Sequence, residues 1–137
     1  MSRGYLLSIP AAALAAWLIA ALWYSRLLFA KAWAGSQRQT PGSAGVQAAT
    51  PAGLTHGLAL LAFVLMAAVL RVFISHLGVR HAHDGAGWGF HAWLGFALPL
   101  GLLVKVSAGR PWAAFWIDTG CQAVFLTVMG TILGGIH

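Results

Sequence analysis

Four apolar stretches, at about residues 5–28, 53–77, 88–106 and 112–136, fill most of this 137-residue chain, with polar connectors between them. A helix rises 1.5 Å per residue, so a hydrocarbon core about 30 Å thick takes about 20 residues to cross. Each stretch meets or nearly meets that length. The expected fold is therefore an all-α membrane protein, a single domain of four transmembrane helices with a short interfacial segment after the first.

Composition agrees with a bilayer as solvent. Hydrophobic residues make up 60% of the chain and charged residues 7%, where a soluble domain carries about 25% charged residues. Eight Lys and Arg against two acids leave a formal charge of +6. These cations are scattered over the flanks of the apolar stretches and form no basic stripe, which argues against a nucleic-acid partner. Cys121, the single cysteine, sits inside an apolar stretch, so there is neither a disulfide framework nor a CxxC motif. The first stretch closes on the bulky pair Trp23-Tyr24, where signal cleavage needs small residues, and reads as a retained helix.

Alanines 11, 12, 15, 16 and 20 offer helix one a small face for close packing. Residues 26–33 mix cations with bulky apolar groups, as a segment lying in the interface would. Residues 35–52, rich in Ser, Gly, Gln, Thr and Pro, read as a surface linker, and residues 78–87 as a short loop. Pro99 predicts a kink in helix three. Gly53-x-x-x-Gly57 and Gly130-x-x-x-Gly134 are candidate helix-packing pairs. Ala16-Trp17-Leu18 echoes in Ala92-Trp93-Leu94, which raises a duplicated two-helix unit as one alternative to coincidence. Arg26, Lys31, Arg38, Lys105 and Arg110 flank loops one and three. Arg3, Arg80 and an outward-snorkelling Arg71 lie on the other side. The excess places loops one and three in the cytoplasm and both termini outside.

Depth sorts the residues that could carry chemistry. Arg71 falls about 18 residues, roughly 27 Å, into helix two, and Asp118 about 6 residues, roughly 9 Å, into the parallel helix four. An Arg71–Asp118 pair is therefore not expected. Tyr24, Arg26, His56, Lys105 and Gln122 share the level of Asp118 and are expected to form a polar cluster with it at the cytoplasmic-side membrane face, because an isolated carboxylate in an apolar zone is costly. That cluster reads either as a clamp on helix four or as a proton or ion relay. At the opposite face His81, His83, Asp84 and His91 are candidate metal ligands. A glycine-bounded loop offers them no i, i+4 helical pair, and a solvated loop is the preferred reading. His76 or His91 as a pigment ligand is a lesser alternative, and no cofactor is expected. With no nucleophile motif and only two acids, enzymatic chemistry is not expected either.

The run Leu22-Trp23-Tyr24-Ser25-Arg26-Leu27-Leu28-Phe29-Ala30-Lys31-Ala32-Trp33 resembles the segment closing the first helix in a bacterial membrane family, domain of unknown function 1761. Trp93-Leu94-Gly95-Phe96 with Pro99, Gly109-Arg110-Pro111, Ile117-Asp118-Thr119-Gly120 and Val128-Met129-Gly130-Thr131-Ile132-Leu133-Gly134 resemble its second half. The resemblance implies a four-helix bacterial membrane protein and no particular activity. The functional expectation is a non-catalytic membrane subunit or accessory protein, whose partners are the lipid bilayer and other membrane subunits or further copies of itself. The alternative is a small transporter or channel with its polar site around Asp118.

Overall fold

The computed structural model describes residues 3–23 and 52–136. Tyr24, Arg26, the interfacial segment and nearly all of the linker lie outside the described residues. Within them are four helices long and apolar enough to cross a membrane: α1 (Arg3–Trp23), α2 (Ala52–His76), α3 (Ala82–Ala108) and α4 (Trp112–Gly135). Among the described residues there is no strand. The protein is thus an all-α, multi-pass membrane protein.

The fourth helix is the hub. α1, α2 and α3 all pack on α4, α1 also packs on α2, and α2 barely meets α3. In lipid, helices associate through close packing and hydrogen bonds rather than water exclusion, so small residues favour contact. On α1 this falls to Ser8, Ala12, Ala13 and Ala16, all buried, whereas Ala11 faces outward. α2 answers with Phe63, Ala67, Leu70 and Ile74, a stripe at three- and four-residue spacing, and α4 with Cys121, Phe125, Leu126, Met129 and Leu133. The Phe63 and Phe125 rings meet edge to face, centroids 5.0 Å apart.

α3 departs from the expected 88–106. It begins at Ala82, so the loop expected over 78–87 is a shorter turn through Gly78 (φ 69°), and His83 and Asp84 are helical. Gly85 and Gly87 make this stretch read as a loop, since each glycine costs a helix up to about 1 kcal/mol. Packing offsets that cost. A Cβ on Gly85 would overlap the Gly130 carbonyl oxygen and lie 2.9 Å from the Gly134 Cα; one on Gly89 would overlap the Leu126 carbonyl. Two backbones touch here, and only glycine allows it. Asp84 in the first turn also faces the positive end of the helix dipole.

Midway, Trp93–Ala97 widens into a π-helical turn, with the Leu98 amide donating to the Trp93 carbonyl, and Pro99 follows at once. Gly85, Gly89, Trp93, Ala97, Gly101 and Lys105 fall at strict four-residue spacing, and all six are buried or half-buried. In a regular α-helix each such step overshoots a full turn by about 40°. The wider π turn takes back part of that drift and keeps the line facing inward. It stands where Pro99 led us to expect a kink.

Candidate functional site: a trough between α2 and α3

Because α2 and α3 flank α4 without closing on each other, a trough of about 720 Å³ opens between them. Its floor is one face of α4: Phe115, Asp118, Thr119, Gln122, Phe125 and Leu126. These fall at i, i+3, i+4, i+7, i+10 and i+11, the spacing of a single helical stripe. Its walls are apolar, with Leu65, Val69 and Phe73 on α2 and Phe96, Leu100 and Val104 on α3. Its polar groups gather toward the α3–α4 turn.

That turn is built locally. Gly109 ends α3 in the left-handed conformation (φ 65°) and its amide donates to the Lys105 carbonyl, as does that of Arg110. Extended Pro111 then starts α4. Arg110 therefore stands just outside the helix, and its side chain runs back along the first two turns to Asp118. The Nη2 donates to Oδ2 at 2.7 Å, with the two side chains 23% and 20% exposed. A charge-assisted bond in this setting is short and strong, and removing Asp118 strands the Arg110 charge among apolar walls. Lys105 lies with its Nζ 4.0 Å from the centre of the Trp112 ring, where the ring face attracts the ammonium. The side-chain oxygen Oε1 of Gln122 is buried and accepts no hydrogen bond among the described residues.

Two indoles hold this part of α4 from either side. Trp23 on α1 donates from Nε1 to the Ile117 carbonyl at 3.0 Å, and Trp93 on α3 donates to the Thr119 carbonyl at 2.9 Å. The bonded carbonyls bracket Asp118. A helical carbonyl has a second lone pair to offer, so these bonds add to the helix's own.

Of the cluster expected around Asp118, the trough brings together Asp118, Gln122 and Lys105. Tyr24 and Arg26 lie outside the described residues. His56 is exposed, lies against Trp17 with ring centroids 6.2 Å apart, and is not among the residues lining the trough. Arg110 is the residue missed. It reads as a loop cation, and only its place directly before Pro111, two turns ahead of the acid, signals the pairing. Of the glycine pairs, Gly130 and Gly134 form the tight crossing with α3, while a Cβ on Gly53 or Gly57 would meet no described residue within 4 Å. Gly85-x-x-x-Gly89 on α3, which faces Gly130 and Gly134, was legible as the same motif but straddled the end of the expected loop and the expected start of helix three.

Arg71 does not snorkel outward. It is 4% exposed, donates from Nη1 to the carbonyls of Leu133 and Ile136 (2.8 Å to the latter), and lies 4.4 Å from the centre of the Tyr5 ring. The last carbonyls of a helix lack partners within it and carry its negative dipole end, so a buried guanidinium suits them. Near that face the His81 and His83 rings stack at 5.6 Å, His83 lies 3.2 Å from Asp84, and the His91 Nδ1 is 2.6 Å from the Gly87 carbonyl. No three His, Cys, Asp or Glu side chains converge on one point among the described residues.

The chain belongs to the family described as protein of unknown function DUF1761, whose model matches residues 7–134. No curated protein and no solved structure matches the chain.

Proposed function

We propose that this member of the DUF1761 family is a non-catalytic subunit or accessory protein of the bacterial inner membrane, packing within a larger assembly or with copies of itself. The observation that carries the reading is the start of α2, where no described residue lies over the glycines. Gly53, His56 and Gly57 share one helix face that the described residues leave exposed, and a Cβ on either glycine would meet none of them within 4 Å. Small residues beside an ionisable one are the composition of a helix-facing surface more than a lipid-facing one. The outward side of α3, with Leu103 and Val106 exposed and outside the trough, leaves room for further contact. Orientation follows from charge: loops one and three hold Arg26, Lys31, Arg38, Lys105 and Arg110 against Arg3 and Arg80 opposite, now that Arg71 is buried and casts no vote. That difference supports cytoplasmic loops one and three and periplasmic termini.

The test is mass spectrometry of the protein extracted gently from its native membrane, beside a Gly57→Leu variant. A stoichiometric partner or a defined homo-oligomer, lost in the variant, is the expected result. Recovery of free monomer alone would sink the reading. A second reading, a small transporter, draws on the trough and its ion pair. It expects Asp118→Asn to abolish proton flux in liposomes while insertion is retained, and equal flux would remove it.

A further inference from the structure

The trough carries three features that no packing role requires. Among the described residues its charged lining is Lys105, Arg110 and Asp118, one positive charge in excess, and all lie toward the α3–α4 turn. Asp118 engages a single nitrogen of Arg110, while a guanidinium has five N–H donors, so donors remain for an anion. One helical turn beyond Asp118, about 6 Å along α4, the buried Gln122 Oε1 lacks a donor. Beyond that the walls are apolar, and the volume, about 720 Å³, falls in the range of about 300–1,000 Å³ that one drug-sized ligand fills.

From these we infer that the trough is a binding site for a single-chain anionic phospholipid, a lysophospholipid. The phosphate lies between the Lys105 ammonium and the free Arg110 donors. The glycerol hydroxyl, a few bonds from the phosphate, lies against the Gln122 side chain that lines the trough, and the amide turns its unpartnered Oε1 out to accept from it. The acyl chain runs between Leu65 and Val69 of α2 and Phe96 and Leu100 of α3. A two-chain lipid demands more room than this, and a transmembrane helix of a partner would bring apolar side chains to a cationic mouth and leave the amide oxygen unanswered. A fatty acid matches the charge and the walls but has no hydroxyl. The site is independent of the subunit reading, since a monomer can hold it.

The experiment uses the purified full chain in detergent micelles, titrated with 1-palmitoyl-lysophosphatidylglycerol and followed by native mass spectrometry. One saturable adduct per chain is expected. Lys105→Gln removes a charge-assisted contact and weakens it about tenfold. Gln122→Leu weakens it several-fold, and palmitate binds less tightly than the lysolipid and does not respond to that change. Leu100→Trp, which fills the trough from the α3 side away from α4, abolishes the adduct, with circular dichroism confirming that each variant is folded. Unsaturable adducts, binding indifferent to Lys105→Gln and Leu100→Trp, or palmitate matching the lysolipid would each overturn the assignment. So would a trough-filling variant that breaks up an oligomer and leaves lysolipid binding intact.

Discussion

The two halves of α3 meet the same neighbour in opposite ways. In the first half, Gly85 and Gly89 let the backbone lie directly on Gly130, Gly134 and Leu126 of α4. In the second half the contact is looser: a Cβ on Gly101 would meet Thr119 Oγ1 at 3.4 Å and the Phe115 ring at 3.6 Å, ordinary contact distances. Past the π turn the helix stands off, and the trough lies beside it. One helix therefore serves as both fastener and wall, and residue size at a four-residue spacing decides which. Apolarity does not decide it, because the fastened half is the more polar of the two.

The strongest way to break this contrast is Gly85→Val. Backbone atoms occupy the space a Cβ needs and cannot rotate away, so we expect a loss at the upper end of about 1–3 kcal/mol, read from unfolding in mixed micelles. An unchanged unfolding midpoint would mean that the crossing is not the fastener. Arg71→Met comes next. It removes charge-assisted bonds to the Leu133 and Ile136 carbonyls, and a cost of about 1.5–3 kcal/mol is expected. Hydrogen exchange localised to the last turn of α4 would separate this from a general loosening.

Trp93→Phe, at the junction of the halves, keeps an aromatic, though smaller, ring and loses the bond to the Thr119 carbonyl. That carbonyl keeps its helical partner, so the expected loss is about 0.5–1.5 kcal/mol, visible as a lower melting temperature. Gly101→Ala sharpens the contrast at the small end. The space exists, and stability within about 0.5 kcal/mol of the parent is expected. A loss there equal to that of Gly85→Ala, measured side by side, would erase the distinction between the halves.

Span number and placement were legible because bilayer thickness is an external ruler: any run of about 20 apolar residues answers to it. The start of α3 was not. Residues 82–87, Ala-His-Asp-Gly-Ala-Gly, carry the local chemistry of a loop, and what makes them helical is a glycine pair on α4 more than forty positions later. Depth arithmetic separated Arg71 from Asp118, and the structure places them in different networks. It could not assign their partners. Arg71 meets backbone carbonyls, which every residue has, and Arg110 reaches Asp118 only because Pro111 throws it clear of the helix. Lys105 and Gln122 were legible near Asp118 from register alone. The trough itself was not, since an opening depends on which helices fail to touch.

The hub position of α4 bears on how the protein is made. Chains emerge N-terminus first, so α1, α2 and α3 are synthesised before the helix on which all three pack. Until it arrives, Gly85 and Gly89 have no backbone to rest on, and Arg71 has no helix end to engage. Assembly of the bundle is therefore a late event, completed only when α4 enters the bilayer. A released chain ending before residue 112 would leave three helices without a common centre.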